Sequence, residues 1–206
     1  MGWSSDVQIC NGALGLLGAE RIVAIAGSDN TRSKWCEVYY EQARDETVAG
    51  FPWNFATRRK DLGAALASTD ADAPVYEWSY AFTLPRIDDD WCLRVIDTEN
   101  GDPYRVEGKI LYCDSSSIRI KYLRRIVAPG DMSDHCKGAI AAKLAMYLAY
   151  PLTKSSTMQE AMAQLYVGMI DDAHQTDTQE GTPEEIDSDE ILAARYGYYN
   201  QYVSRY

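Results

Sequence analysis

The sequence predicts an α+β fold in which an antiparallel helical bundle carries an inserted antiparallel β-sheet or small open barrel and ends in an extended C-terminal arm. Apolar residues recur at helical spacing near both ends of the chain, and they alternate with period two between them. The composition then changes abruptly near the C-terminus. These observations place the bundle in residues 1–176, the β insertion at about 76–127 and the arm in 177–206.

The composition excludes several classes of protein. The 206 residues are 46% hydrophobic and 25% charged, which fits a folded domain with an appendage. No run approaches the ~20 apolar residues of a membrane span. The net charge of −11 opposes binding to nucleic acid through phosphate neutralisation. The first residues lack the pattern of a signal peptide, and the five cysteines lack zinc spacing, so we expect synthesis in a reducing cytoplasm and buried thiols.

Two helices are predicted before residue 51. Ser4 and Ser5 are N-cap candidates for a short amphipathic helix that stops at Gly18. A second N-terminus is offered by Ser28–Asn30, and the following helix runs from about Thr31 to Gly50.

The segment Phe51–Ala56 breaks the second helix, because Pro52 disfavours helical geometry at the residue before it. It carries three aromatic rings, which favours either of two interpretations. The rings could form a core contact at a bend, or they could form an exposed patch for a partner. The second interpretation makes Trp53 and Phe55 candidates for an interface between subunits or rings.

Period-two alternation and turn residues predict five strands in the middle of the chain, after a loop at about 66–74. Glu107-Gly108 is a hairpin signal between the third and fourth strands. The predicted strands are Trp78–Leu84, Trp91–Ile96, Tyr104–Val106, Lys109–Cys113 and Ile118–Tyr122.

Three consecutive carboxylates, Asp88, Asp89 and Asp90, separate the first two predicted strands. A divalent cation prefers oxygen ligands at staggered spacing with a glycine for the turn, and this run has neither. We therefore interpret it as a turn and expect no metal. The same three residues are also candidates for a subunit or ring interface.

The helical period returns after residue 130. Ser133 is a plausible cap for a helix rich in alanine, which Pro151 should end. Ser155 or Ser156 begins a last helix, predicted to reach about His174.

The C-terminal arm combines acids with tyrosines. Residues 177–190 contain seven Asp or Glu and no Lys or Arg, which is typical of a solvated tether. Tyr and Arg are enriched in binding hot spots, so the end of the arm is predicted to be a docking peptide. Its candidate contact residues are Arg195, Tyr196, Tyr198, Tyr199, Tyr202, Arg205 and Tyr206.

The sequence shows no pattern of catalytic residues. His135 and Cys136 are neighbours in a predicted helix and point about 100° apart, so they do not form a nucleophile–base pair. His174 is placed near a helix end, where its cation would complement the dipole. No glycine-rich phosphate loop or nucleophile elbow is present. We therefore expect no enzymatic activity and no cofactor.

Seven segments, in this order along the chain, together resemble the tail tubular protein A family of short-tailed phages. They are spread between residues 7 and 153, so the resemblance extends over most of residues 7 to 175. The segments are 7–19, Ala43–Glu46, Phe51–Ala56, Trp78–Pro85, Cys92–Val95, Tyr104–Gly108 and Ala149–Thr153.

The resemblance implies a non-enzymatic virion protein at the neck of the particle. Members of the family are head-to-tail adaptors that form a dodecameric ring between the portal and the tail nozzle, with a helical bundle, an inserted β-region and a lumen through which DNA passes. Residues 86–91 appear as an extension relative to the family pattern, and the tyrosine-rich end has no counterpart in it. The arm is the part we expect to bind the portal.

The acidic charge suits a conduit on independent grounds, because a basic lumen would add phosphate contacts and slow the passage of DNA. Two alternatives remain open. A head-completion connector of a long-tailed phage could have similar helices. A metal-dependent hydrolase using Asp88 to Asp90 would instead require a bound divalent cation.

Overall fold

The computed structural model describes residues 3–87 and 90–180, and within them the α+β prediction is confirmed: four α-helices accompany two antiparallel sheets. The helices are α1 (Asp6–Leu16), α2 (Thr31–Gly50), α3 (Asp134–Thr153) and α4 (Ser156–Gln179). The strands are β1 (Thr57–Asp61), β2 (Tyr80–Thr83), β3 (Arg86–Ile87), β4 (Asp90–Thr98), β5 (Tyr104–Glu107), β6 (Ile110–Cys113) and β7 (Arg119–Arg124).

The predicted helix starts are confirmed by their capping bonds. A side-chain oxygen before each helix accepts a backbone N–H of the first turn, which satisfies a donor that has no partner within the helix. The four caps are Ser5, Asn30, Ser133 and Ser155.

Two predicted helix ends are wrong. Helix α3 passes Pro151 and ends at Thr153, because a proline in the last turn removes only one hydrogen bond. Helix α4 continues past His174 to Gln179, so Asp177 belongs to the folded body and not to the arm.

Helix α3 is the centre of the bundle. It packs against α1, α2 and α4, and most of its side chains are buried. Small residues permit the close approach: a Cβ added to Gly138 would lie 3.0 Å from the Cε of Met169 on α4. The alanine-rich sequence of α3 therefore sets its contact distance to its neighbours.

The strands form one sheet of order β1-β7-β4-β3 and another of order β2-β6-β5. Strand β1 was not predicted, because its sequence Thr-Arg-Arg-Lys-Asp has no apolar alternation. It forms a strand by pairing with β7 alone, and its outer edge has no neighbouring strand in the part of the chain that the structure describes.

Strand β7 belongs to both hydrophobic cores. Ile120 and Tyr122 lie in a core between the sheets with Phe82 and Leu111, whereas Leu123 lies in the core of the helical bundle. Alternate residues of a strand face opposite sides of a sheet. The β-region is thereby attached to the helices through the buried interior.

Candidate interaction surfaces

Asp45 on α2 holds two arginines at the junction between the bundle and the β-region. The Nε of Arg44 donates to one of its carboxylate oxygens at 2.8 Å, and the Nε of Arg125, just after β7, donates to the other at 2.8 Å. The hydrogen bond from Arg125 to Asp45 raises the pKa of that guanidinium. Because only 2% of the Arg44 side chain is exposed, Asp45 supplies the partner that a buried cation requires.

The next residue, Glu46, joins α2 to α3. The Nζ of Lys143 lies 2.8 Å from a carboxylate oxygen of Glu46, and the hydroxyl of Tyr147 donates to the same oxygen. The hydrogen bond from Lys143, followed by that from Tyr147, lowers the pKa of Glu46 to about 2. Glu46 thus makes an interhelical contact, while Asp45 connects α2 to the residue after β7.

The aromatic bend at residues 51–56 lies largely inside the fold. Trp53 is 0% exposed, and its indole N–H donates to the carbonyl oxygen of Thr47 at 3.1 Å. The assignment of Trp53 to a subunit interface is therefore corrected to a core position, since its ring offers no surface to a neighbour. Phe55 is half-buried beside Trp53, with 5.6 Å between ring centroids.

The same bend holds the end of α4. The backbone N–H of Asn54 donates to the carboxylate of Asp177 at 3.0 Å, and the Asn54 side chain donates to the Asp177 carbonyl at 2.6 Å. Phe51 stacks on His174 with ring centroids 3.9 Å apart. The expected position of His174 near the helix end is corrected, because α4 continues to Gln179 and the His174 ring stacks on Phe51; burial lowers the pKa of His174.

Asp90 is the one member of the acidic run that the structure describes; Asp88 and Asp89 lie outside the described residues. It contacts Arg58 at 3.5 Å, bonds to Lys60 and accepts a hydrogen bond from Tyr122. Burial opposes its ionisation, but the bonds from Lys60 and Tyr122 leave the pKa of Asp90 below its usual value. Its carboxylate therefore joins β4 to β1 and β7.

A groove with a cavity volume of about 530 Å³ lies on the sheet at the β1–β7–β4 strands. Arg59 on β1 lies directly opposite Lys121 on β7. Like charges in this position repel each other. Neither takes part in an ion pair with any residue that the structure describes, whereas Arg119 nearby pairs with Glu99 and Asp61. The lining residues are Arg59, Lys60, Asp61, Asp97, Thr98, Glu99, Arg119, Ile120 and Lys121.

Exposed apolar side chains mark two other places in the β-region. Val75 and Tyr76 are 93% and 76% exposed in the loop before β2. Ile87 is 75% exposed at the end of β3, and Trp91 on β4 has the guanidinium of Arg86 5.4 Å from its ring centroid. The sequence gives no indication that these side chains are exposed, because exposure at a loop or hairpin leaves no periodic pattern.

The thiols behave as the composition suggests. All five cysteines are free and buried. Burial raises the pKa of Cys136 to about 12, and the neighbouring His135 is exposed to solvent. A thiol in this environment stays protonated at neutral pH.

The tyrosine-rich contact residues, Arg195 to Tyr206, lie outside the described residues. Within residues 3–87 and 90–180, no three His, Cys, Asp or Glu side chains are grouped so as to hold a metal ion. None of the helices described is both long and apolar enough to cross a bilayer.

Comparison with known proteins adds no family assignment. No protein-family model matches the sequence, and no curated protein matches it significantly.

Proposed function

We propose that the chain is a structural subunit of a head-to-tail adaptor ring in a short-tailed phage, placed between the portal and the tail nozzle. The observation that carries the proposal is the position of the shared segments in the fold. Residues 43–46 and 51–56 hold the bundle together, while 78–85 and 92–95 lie in the strands of the inserted β-region. The resemblance therefore rests on segments that organise both parts of the molecule.

A closed ring requires two different surfaces on each subunit, because each copy meets its neighbours head to tail. The exposed apolar residues of the β-region, Val75, Tyr76 and Ile87, are suited to such contacts. Phe55 and Asp88 to Asp90 remain candidates for the same contacts. The portal is proposed to receive the arm through Arg195, Tyr196, Tyr198, Tyr199, Tyr202, Arg205 and Tyr206.

The mechanism is one of shape and charge. The ring holds the portal and nozzle in register, and its lumen passes DNA without binding it. With a net charge of −11, twelve copies would repel the phosphate backbone if the acids face the channel. A channel lined mainly by Lys and Arg in images of the assembled ring would contradict this part of the proposal.

Deletion of residues 192–206 tests the proposed portal contact. The deleted segment lies beyond every contact of the folded body described above, so the shortened chain should keep the thermal unfolding midpoint of the full chain. It should lose attachment to the portal in a pull-down. Full attachment by the shortened chain would exclude the arm as the portal-binding element.

A further inference from the structure

We propose that the groove at Arg59 and Lys121, together with the open outer edge of β1, is the docking site for the chain's own acidic segment, residues 184–190. This inference concerns the single chain and does not depend on the proposed ring.

The groove presents two cations, Arg59 and Lys121, that form no ion pair with any described residue, although Asp97 on β4 lies opposite Lys121 in the strand register. Arg59 and Lys121 face each other across β1 and β7, where their repulsion costs stability. Among the described residues, the ion pairs of this surface involve Arg119, Lys60 and Arg58 instead. An anionic occupant would convert the repulsion into two attractive contacts.

Strand β1 is also open along one side. It pairs with β7 on its inner edge, and no described strand lies on its outer edge. An extended segment can add to such an edge through backbone hydrogen bonds. The occupant should therefore be an acidic peptide rather than a small ion.

The acidic segment has the matching pattern. Glu185, Asp187 and Asp189 alternate, so in an extended conformation their carboxylates project to one side. Residues 184–190 contain no Lys or Arg. Carboxylates on one face complement Arg59 and Lys121, because the third cation nearby, Arg119, is already paired with Glu99 and Asp61.

The chain leaves the described structure beside this strand. Asp177 is hydrogen bonded to Asn54 at 3.0 Å, and Asn54 precedes the start of β1 by three positions. The five residues from Asn54 to Arg59 span at most about 18 Å, whereas the seven from Glu180, which caps α4, to Asp187 can span about 25 Å. The acidic segment can therefore reach the groove of its own chain.

Carbodiimide cross-linking of the full chain tests the proposal, because the reagent joins a lysine to a carboxylate only when the two are in contact. Equal amounts of ¹⁴N- and ¹⁵N-labelled chain are mixed, cross-linked at low salt, digested and analysed by mass spectrometry. We expect Lys121 to join Glu185, Asp187 or Asp189 within one chain. Lys109, exposed at the β5–β6 turn, should form such links severalfold less often.

Charge-reversal variants provide the second part of the experiment. Arg59→Glu should reduce the Lys121 links severalfold, and the double variant Arg59→Glu/Asp187→Lys should restore them through the remaining acids. Arg105→Glu is the matched control, since it changes the net charge equally on the other sheet and should leave the links intact. A cooperative thermal unfolding transition in every variant will show that all of them fold.

Three results would overturn the proposal. Lys121 and Lys109 could link to residues 185–189 with equal yield, or the links could occur only between chains. Alternatively, a short DNA duplex could bind the full chain in an Arg59-dependent manner while no Lys121 link forms, which would assign the groove to a phosphate backbone.

Discussion

Two sets of residues, one in the helical bundle and one in the β-region, use the same residue types in opposite ways. In the bundle, Trp53 is fully buried and Asp45 is held between two arginines. In the β-region, Trp91 is partly exposed, and Arg59 and Lys121 face each other without an ion partner in the described structure. Trp53 and Asp45 are thus satisfied inside the bundle, whereas Trp91, Arg59 and Lys121 of the β-region are at least partly exposed.

This difference separates the parts that fold the chain from the parts available for contact. Side chains that are already fully partnered contribute to stability, and their loss leaves cavities or unpaired charges. Exposed side chains contribute little to the free energy of unfolding, so they can contact a partner without a loss of stability. Substitutions at the buried and at the exposed positions should therefore divide into those that change stability and those that change assembly.

The largest expected effect is at Trp53. Trp53→Ala removes a fully buried ring and its bond to the Thr47 carbonyl, so the free energy of unfolding should fall by about 3–5 kcal/mol in urea denaturation. Trp91→Ala, the matched change in the β-region, should cost about 1 kcal/mol because that ring is partly exposed. Equal losses would contradict the distinction between the two regions.

A smaller loss of stability is expected on substitution of Asp45, at the junction between the bundle and the β-region. Asp45→Asn keeps the shape of the side chain but leaves Arg44 buried beside a neutral group, so unfolding should become easier by about 2 kcal/mol. Asp61→Asn removes a carboxylate that is 54% exposed and should change stability by less than about 1 kcal/mol. A larger loss of stability from Asp61→Asn than from Asp45→Asn would contradict this comparison.

Acid titration tests whether Glu46 stabilises the fold through its ionised carboxylate. Its pKa in the folded chain is lowered to about 2, so its contacts stabilise the fold above the ordinary carboxyl pKa of 4.5, and this contribution is lost as the pH falls through 2. The stability difference between the native chain and Glu46→Gln should be greatest at neutral pH and shrink between pH 4.5 and 2. A difference that stays constant over this range would rule out the ionised contact.

The smallest effect on stability is expected at Ile87, which is exposed at the end of β3. Ile87→Asp should shift the free energy of unfolding by no more than about 0.5 kcal/mol, because 75% of the residue is in solvent. If Ile87 contributes to ring contacts, the same change should lower the yield of oligomer in size-exclusion chromatography. An unaltered oligomer yield would remove Ile87 from the proposed interface.

Local signals predicted much of this fold. Ser5, Asn30, Ser133 and Ser155 cap the helices because each oxygen needs only the next turn of the chain. Alternation predicted strands that are buried on one side. The polar edge strand β1 gave no such signal, since its partner β7 supplies the apolar side.

Contacts between distant segments could not be predicted in this way. Asn54 and Asp177 are 123 positions apart, and nothing in either segment identifies the other. The pairing of Arg59 with Lys121 depends on a strand register that the turns do not fix. Trp53 illustrates the same limit, because an aromatic cluster is compatible with both a core and an interface until its neighbours are placed.

Mass measurement of the full chain with and without its portal ring tests the central claim most directly. The account predicts a complex in which a closed ring of about twelve copies, the number implied by the adaptor resemblance, is seated on the portal. A chain that remains monomeric and separate when the portal is present would contradict a role as an adaptor subunit.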